Sequence, residues 1–115
     1  MVRHGHARAD ARNLHLHRAA IEKIARQPEL RLPCLRLVEA WLAAPEQPAR
    51  TWLEQWREML TRWPVERIAA VALDERAGQA LRQCSPLGPV LSPRERWTLL
   101  EEANRALAAE ATRTP

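Results

Sequence analysis

Apolar side chains recur along most of this chain at three- and four-residue steps, the period of an α-helix that buries one face. The cleanest run is Trp52, Leu53, Trp56, Met59, Leu60 and Trp63, with Glu54, Arg57, Glu58 and Arg62 opposite it. Thr51 or Ala49 starts this helix and Pro64 stops it. Upstream, Leu14, Ile21 and Ile24 share a face with His17 between them; Asn13 is the expected N-cap, and Pro28 ends the segment. A second helix carries Leu30, Cys34, Val38, Trp41 and Leu42, with Pro33 in its first turn, and closes at Pro45 and Pro48. Pro64 is placed to open a fourth helix with Val65, Ile68, Ala72 and Leu73 inward. Asp74 then caps a short fifth helix holding Ala77, Ala80 and Leu81, in which Gly78 costs about 1 kcal/mol unless close packing requires it. Pro86, Gly88 and Pro89 break the next stretch into a loop, after which Ser92-Pro93-Arg94-Glu95 forms a capping box. It starts a last helix traced by Trp97, Leu100, Asn104 and Leu107.

No segment alternates apolar and polar residues with β-branched enrichment, so no sheet is expected. The predicted fold is all-α, a compact bundle of five to six helices formed by residues 13–109. A flexible basic arm at 1–12, which lacks apolar periodicity, precedes it, and a frayed tail at 110–115 follows.

Charge refines this picture. The net +4 resides in the first 26 residues, where six basic side chains face Asp10 and Glu22; residues 27–115 hold twelve arginines and twelve acids. An arm of this kind favours nucleic acid or an acidic protein surface, with Arg3, Arg8 and Arg12 as the phosphate-contacting candidates. A solubilising tail is the plain alternative. There is one lysine against seventeen arginines, a bias typical of high-GC coding, which discounts much of the arginine excess. With Phe and Tyr absent, the five tryptophans are the large aromatic anchors. The stripe of Trp52, Trp56 and Trp63 is wide enough to serve both a core and an interface. No run of about 18 apolar residues exists to span a membrane, and the basic start lacks the apolar stretch of a secretory signal, so the cytoplasm is the expected location. Cys34 and Cys84 lie outside any CxxC motif and are expected as small buried hydrophobes in a reducing compartment.

Catalytic and metal chemistry find little footing. His4 and His6, and His15 and His17, form two His-x-His pairs, but on a helix His15 and His17 point about 200° apart and cannot share an ion, and His4 and His6 sit in the arm with no carboxylate or cysteine framework around them. The chain has no phosphate-binding glycine loop and no nucleophile elbow; Cys84 and Ser85 are nucleophiles without a nearby base in sequence. A protein that is not an enzyme, with no cofactor and no metal, is expected. Residues 64–83 hold two short helices in a helix-turn-helix-like arrangement, offering Arg76, Gln79 and Arg82 to a groove. Direct DNA binding is therefore the second functional reading.

Leu81-Arg82-Gln83-Cys84-Ser85-Pro86-Leu87, followed by Val90-Leu91-Ser92-Pro93-Arg94-Glu95-Arg96-Trp97, resembles a recurring segment of small bacterial proteins, Leu-Arg-Gln-x-Ser-Pro and then Leu-Ser/Thr-Pro-x-Glu-Arg-Trp. Asn13-Leu14-His15-Leu16-His17-Arg18 fits the same group. These proteins resemble the antitoxin partners of two-gene toxin–antitoxin modules. The resemblance implies a chain that binds and neutralises a toxin protein, with repression of its own operon as a compatible second activity. The expected partner contacts are His15, Arg18, Arg82, Gln83, Ser85, Arg94, Arg96 and Trp97. An equally physical alternative is structural: Trp97 packs beneath the Ser-Pro loop and the arginines bond its carbonyls. Self-association is left open.

Overall fold

The computed structural model describes the backbone of residues 2–113 and the side chains of residues 7–113. Six α-helices are arranged in the order α1 (Val2–Arg26), α2 (Arg31–Leu42), α3 (Arg50–Arg62), α4 (Val65–Ala72), α5 (Gln79–Gln83) and α6 (Pro93–Arg113). Single 3-10 turns at Pro28–Leu30 and Gly88–Val90 precede α2 and α6. No strand forms among the described residues, and none of their helices is long and apolar enough to cross a membrane. The all-α expectation holds, with the capping box, the proline stops and the loop before α6 in place.

The core gathers Ile21 and Ile24 of α1, Cys34 and Val38 of α2, Leu53, Trp56, Met59 and Leu60 of α3, Ile68 of α4 and Leu81 of α5. Trp56 is fully buried and donates Nε1–H to the Leu81 carbonyl at 2.8 Å, which ties α3 to α5. The other tryptophans of the stripe do not share its burial: Trp63 is half-buried beneath the Arg67 guanidinium, 3.9 Å from its ring centre, and Trp52 is 39% exposed. Cys34 is buried and Cys84 half-buried, both unpaired.

Three arginines close helix ends that would otherwise leave carbonyls without partners. Arg31 donates to the Leu60 and Trp63 carbonyls at 3.0 and 2.9 Å and so caps α3. Arg50 reaches the Leu42 and Ala44 carbonyls behind α2. Arg82, 5% exposed, bonds the Ala72, Asp74 and Glu75 carbonyls at 2.7, 2.8 and 3.3 Å and clamps the corner between α4 and α5. Gly78 sits in that corner. A Cβ there would lie 2.4 Å from the Ala72 carbonyl oxygen, so close packing does require glycine.

Three expected boundaries need correction. Helix α1 begins at Val2 rather than Asn13, so the backbone of residues 2–12 is helical. Their alanines and arginines are good helix formers with no proline among them, and the segment is tied at Asp10, whose carboxylate accepts from Gln79 Nε2, and at Arg12, which reaches Asn104. Helix α6 likewise continues through residues 110–113, and only 114–115 of the expected tail lie outside the described residues. Asp74 caps the turn before α5 rather than the helix itself, accepting from the Arg76 and Ala77 amides, and α5 starts five residues later.

Helix α6 lies antiparallel along α1. Their contacts run in opposite order: Arg12 to Asn104, His15 to Glu102 and Lys23 to Glu95. Within α6 only Ala103 is buried, so α6 is a peripheral strut whose first turn stands beside the loop before it.

Candidate functional site

The two segments of the 81–97 region and the 13–18 segment converge on one cleft. Asn13, Leu16, His17 and Ala20 of α1 form one wall, and Arg82 and Gln83 of α5 another; Ser85, Leu87, Gly88 and Leu91 belong to the loop. Arg96, from the first turn of α6, completes it, around a space of about 190 Å³. The capping box fixes this turn: Ser92 Oγ accepts the Glu95 amide at 3.1 Å, and Glu95 Oε1 accepts the Ser92 amide at 2.8 Å. Lys23 Nζ donates to the same Glu95 oxygen at 2.7 Å, pinning α6 to α1. That ion pair comes first, and the Ser92 amide second, in holding the Glu95 carboxyl down to about 2. On the loop side, Ser85 Oγ accepts the Leu87 amide at 3.1 Å and shapes the Ser-Pro entry.

His17 is the unusual member. It is 8% exposed, and its Nδ1 lies 2.8 Å from the Asn13 carbonyl. A carbonyl can only accept, so Nδ1 carries the proton. Burial is the largest cause lowering its pKa; the Asn13 carbonyl works against this, and the charges of Arg82 and Arg96 add to it. The ring is therefore neutral with a bare lone pair on Nε2. That atom is buried and has no hydrogen-bond partner, and the same is true of Asn13 Oδ1 one turn earlier. Buried acceptors without partners are uncommon, and these two lie closed off from solvent.

Among the expected contact residues, the fold brings Arg82, Gln83, Ser85 and Arg96 together. Gln83 is exposed at the rim and Ser85 is half-buried. Arg82 is a correction: its guanidinium is engaged by three carbonyls, so it is an internal clamp rather than a partner contact. Trp97 does not pack beneath the loop either; it is 67% exposed on the outside of α6. His15 faces α6, with Nε2 3.5 Å from a Glu102 oxygen. That separation is an ion-pair approach rather than a made hydrogen bond, in keeping with Nε2 having no hydrogen-bond partner. Arg18 is exposed, and Arg94 lies in a separate shallow groove between α1 and α6 with Glu22, Lys23 and Arg26.

Arg8 is exposed, Arg12 reaches Asn104, and the Arg3 side chain lies outside the described residues. In the 64–83 segment α5 has five residues, Arg82 is internal, Gln79 is bonded to Asp10, and Arg76 is exposed in the turn before α5. His4 and His6 also lie outside the described side chains; among the described residues no three His, Cys, Asp or Glu side chains converge as metal ligands.

Asn13 and His17 were not singled out together by sequence. Their i, i+4 spacing put them on one face, but nothing in the sequence showed that face turned toward a cleft. No family model, curated protein or solved structure matches this chain.

Proposed function

We propose that this chain is an antitoxin-like inhibitor, a helical protein that binds a partner toxin protein and blocks it. The observation that carries the reading is an exposed tryptophan on the helix that closes the cleft. Trp97 stands one residue from Arg96, with 67% of its surface in water. A tryptophan buries about 150–250 Å² when covered. Covering the exposed two-thirds is worth about 2.5–4 kcal/mol at 25 cal/mol per Å², the scale of an interface hot spot. Tryptophan and arginine are the residue types most enriched at such spots. The resemblance of residues 81–97 to antitoxin-type proteins supports the same reading.

The test is co-expression with the neighbouring gene product. Growth should be rescued and the two proteins should co-purify. Trp97→Ala should leave the melting temperature within about 2 °C, as for a surface change of under 0.5 kcal/mol, while weakening the complex at least tenfold. A pull-down that recovers nothing, with no rescue of growth, would refute the proposal.

A further inference from the structure

We propose that the cleft between α1, the 84–91 loop and α6 is a subsite for one carboxylate, the side chain of an aspartate or glutamate presented by the partner protein. The inference rests on the partner-binding reading and names the group that the partner inserts.

The charge of the cleft points to an anion. Two guanidinium groups, those of Arg82 and Arg96, line it, and no aspartate or glutamate does. Arg82 spends its donors on the Ala72, Asp74 and Glu75 carbonyls. Those acceptors are neutral, so its unit charge stays in place. The field reaches His17 in the α1 wall, where burial first and then both guanidinium charges hold the imidazole below its ordinary pKa. A cleft lined by one sign of charge draws in the other.

Arg96 is the group that can bind the anion. It is exposed, and its guanidinium makes no hydrogen bond or ion pair to another described residue. A Cβ built on Gly88 would lie 3.7 Å from Arg96 Nη2, which places the tip of the guanidinium beside the loop at the mouth of the cleft. Gln83, exposed at the rim, adds a side-chain amide. One planar carboxylate matches one guanidinium fork with two parallel N–H···O bonds. A phosphate brings close to two charges and three strong acceptor oxygens, more than the single unspent fork can serve. Leu16, Leu87 and Leu91 supply apolar lining for the methylenes of an acidic side chain. The space, about 190 Å³, lies below the roughly 300 Å³ at which drug-sized sites begin, so it suits a side chain. Amides and hydroxyls bring no charge to this field, and ammonium groups bring the wrong one.

The experiment uses the full 15N-labelled chain alone, so it stands whether or not the toxin partner has been found. Sodium propionate, a stand-in for the glutamate side chain, is titrated at constant ionic strength against chloride. The Arg96 Nε–H and Gln83 side-chain amide resonances are followed by NMR. Both should shift and saturate, with a dissociation constant on the order of 10 mM for so small a probe. Propionamide, the same shape without the charge, and propylammonium should leave them in place. Arg96→Met, a change at an exposed side chain, should keep its melting temperature within about 2 °C. It should weaken the Gln83 response at least tenfold, the loss of a charge-assisted hydrogen bond. Arg94→Met removes an equal charge from the separate groove and should leave that response unchanged. No saturating response to propionate would overturn the subsite. So would an equal response to propionamide, or an equal loss in the two arginine variants, since propionate would then report net charge alone. Inorganic phosphate binding more than tenfold tighter than propionate would overturn the carboxylate in favour of a phosphoryl group. In the complex with its partner the propionate response should vanish. An unchanged response there would overturn the partner's side chain as the occupant and leave a free small carboxylate as the ligand.

Discussion

Replacing Gly78 by alanine isolates the geometry of the α4–α5 corner. Gly78 has φ −85° and ψ −8°, a conformation open to any residue, so backbone freedom does not explain glycine there. On propensity alone Gly78→Ala should stabilise the protein by about 0.5–1 kcal/mol. Sterics oppose this. The new Cβ would stand 2.4 Å from the Ala72 carbonyl oxygen, 2.8 Å from the Ala72 carbonyl carbon and 2.7 Å from Arg82 Nη1. Two of these neighbours are backbone and cannot swing aside. The third is the arm of the clamp that bonds Ala72 at 2.7 Å, so room for the methyl comes by lengthening that buried charge-assisted bond. Overpacking costs about 1–3 kcal/mol and loss of a hydrogen bond to a charged group about 1.5–3 kcal/mol. Set against the propensity gain, the net destabilisation is about 2–4 kcal/mol, a fall in Tm on the order of 10 °C for a chain of this length. Thermal unfolding followed by circular dichroism at 222 nm measures it directly. A Gly78→Ala protein as stable as the parent, or more so, would refute the close approach and with it the clamp.

Three further outcomes follow from named contacts. Trp56→Phe removes the Nε1–H bond to Leu81 and leaves a void in the core, while the Leu81 carbonyl keeps the Cys84 amide at 3.3 Å. Urea unfolding should report a loss of about 2–3 kcal/mol, and a loss below about 1 kcal/mol would contradict the burial of that ring. Glu95 titrates near 2 when folded against 4.5 as its ordinary value. A depressed carboxyl pKa gives stability that is full above pH 4.5 and lost as pH falls through about 2, so Glu95→Gln should flatten the acid limb of the Tm–pH curve. Parallel curves for the two proteins would disprove the Lys23–Glu95–Ser92 pin. His17 is likewise depressed below 6.5, by burial first and then by Arg82 of α5 and Arg96 of α6. Its contribution is full above pH 6.5 and lost as pH falls below that value, because the buried ring must take up a proton beside two guanidinium groups. His17→Gln should remove that slope in chemical denaturation, and its persistence would assign the slope to another group.

The parts of this fold legible in the sequence are those that depend on neighbours in the chain. Prolines at 28, 64 and 93 mark helix ends because they lack an amide proton, and Ser92 with Glu95 names a helix start because the reciprocal bonds span three residues. The N-terminal half of α1 was illegible for the opposite reason. Apolar periodicity records a face buried in a core, whereas around Asp10 and Arg12 this helix is tied by polar links to Gln79 and Asn104. A helix held that way leaves no stripe to read. Trp97 misleads in the complementary sense: it sits at helical spacing with Leu100, yet α6 is a strut and its tryptophan remains in water.

The arginines show why the site resisted a reading by residue type. As a class they signal nucleic acid, phosphate or an acidic partner. In this fold Arg31, Arg50 and Arg82 instead complete the ends of other elements, from six to 32 residues away in sequence, and Arg67 covers Trp63. Arg82 and Arg96 lie fourteen residues apart beside the same histidine. One is buried against three carbonyls and the other is exposed with no hydrogen-bond partner among the described residues. What separates a scaffold arginine from a recognition arginine is whether its donors are already engaged. The same accounting separates Ser85, whose oxygen accepts the Leu87 amide, from His17 and Asn13, whose acceptors are buried without a partner. Partner counts of this kind are tertiary facts. They show how the motif works as a pinned loop: Arg82, Ser85 and Ser92 spend their polar atoms on holding its shape, while Arg96 keeps its donors in solvent at the rim of the cleft.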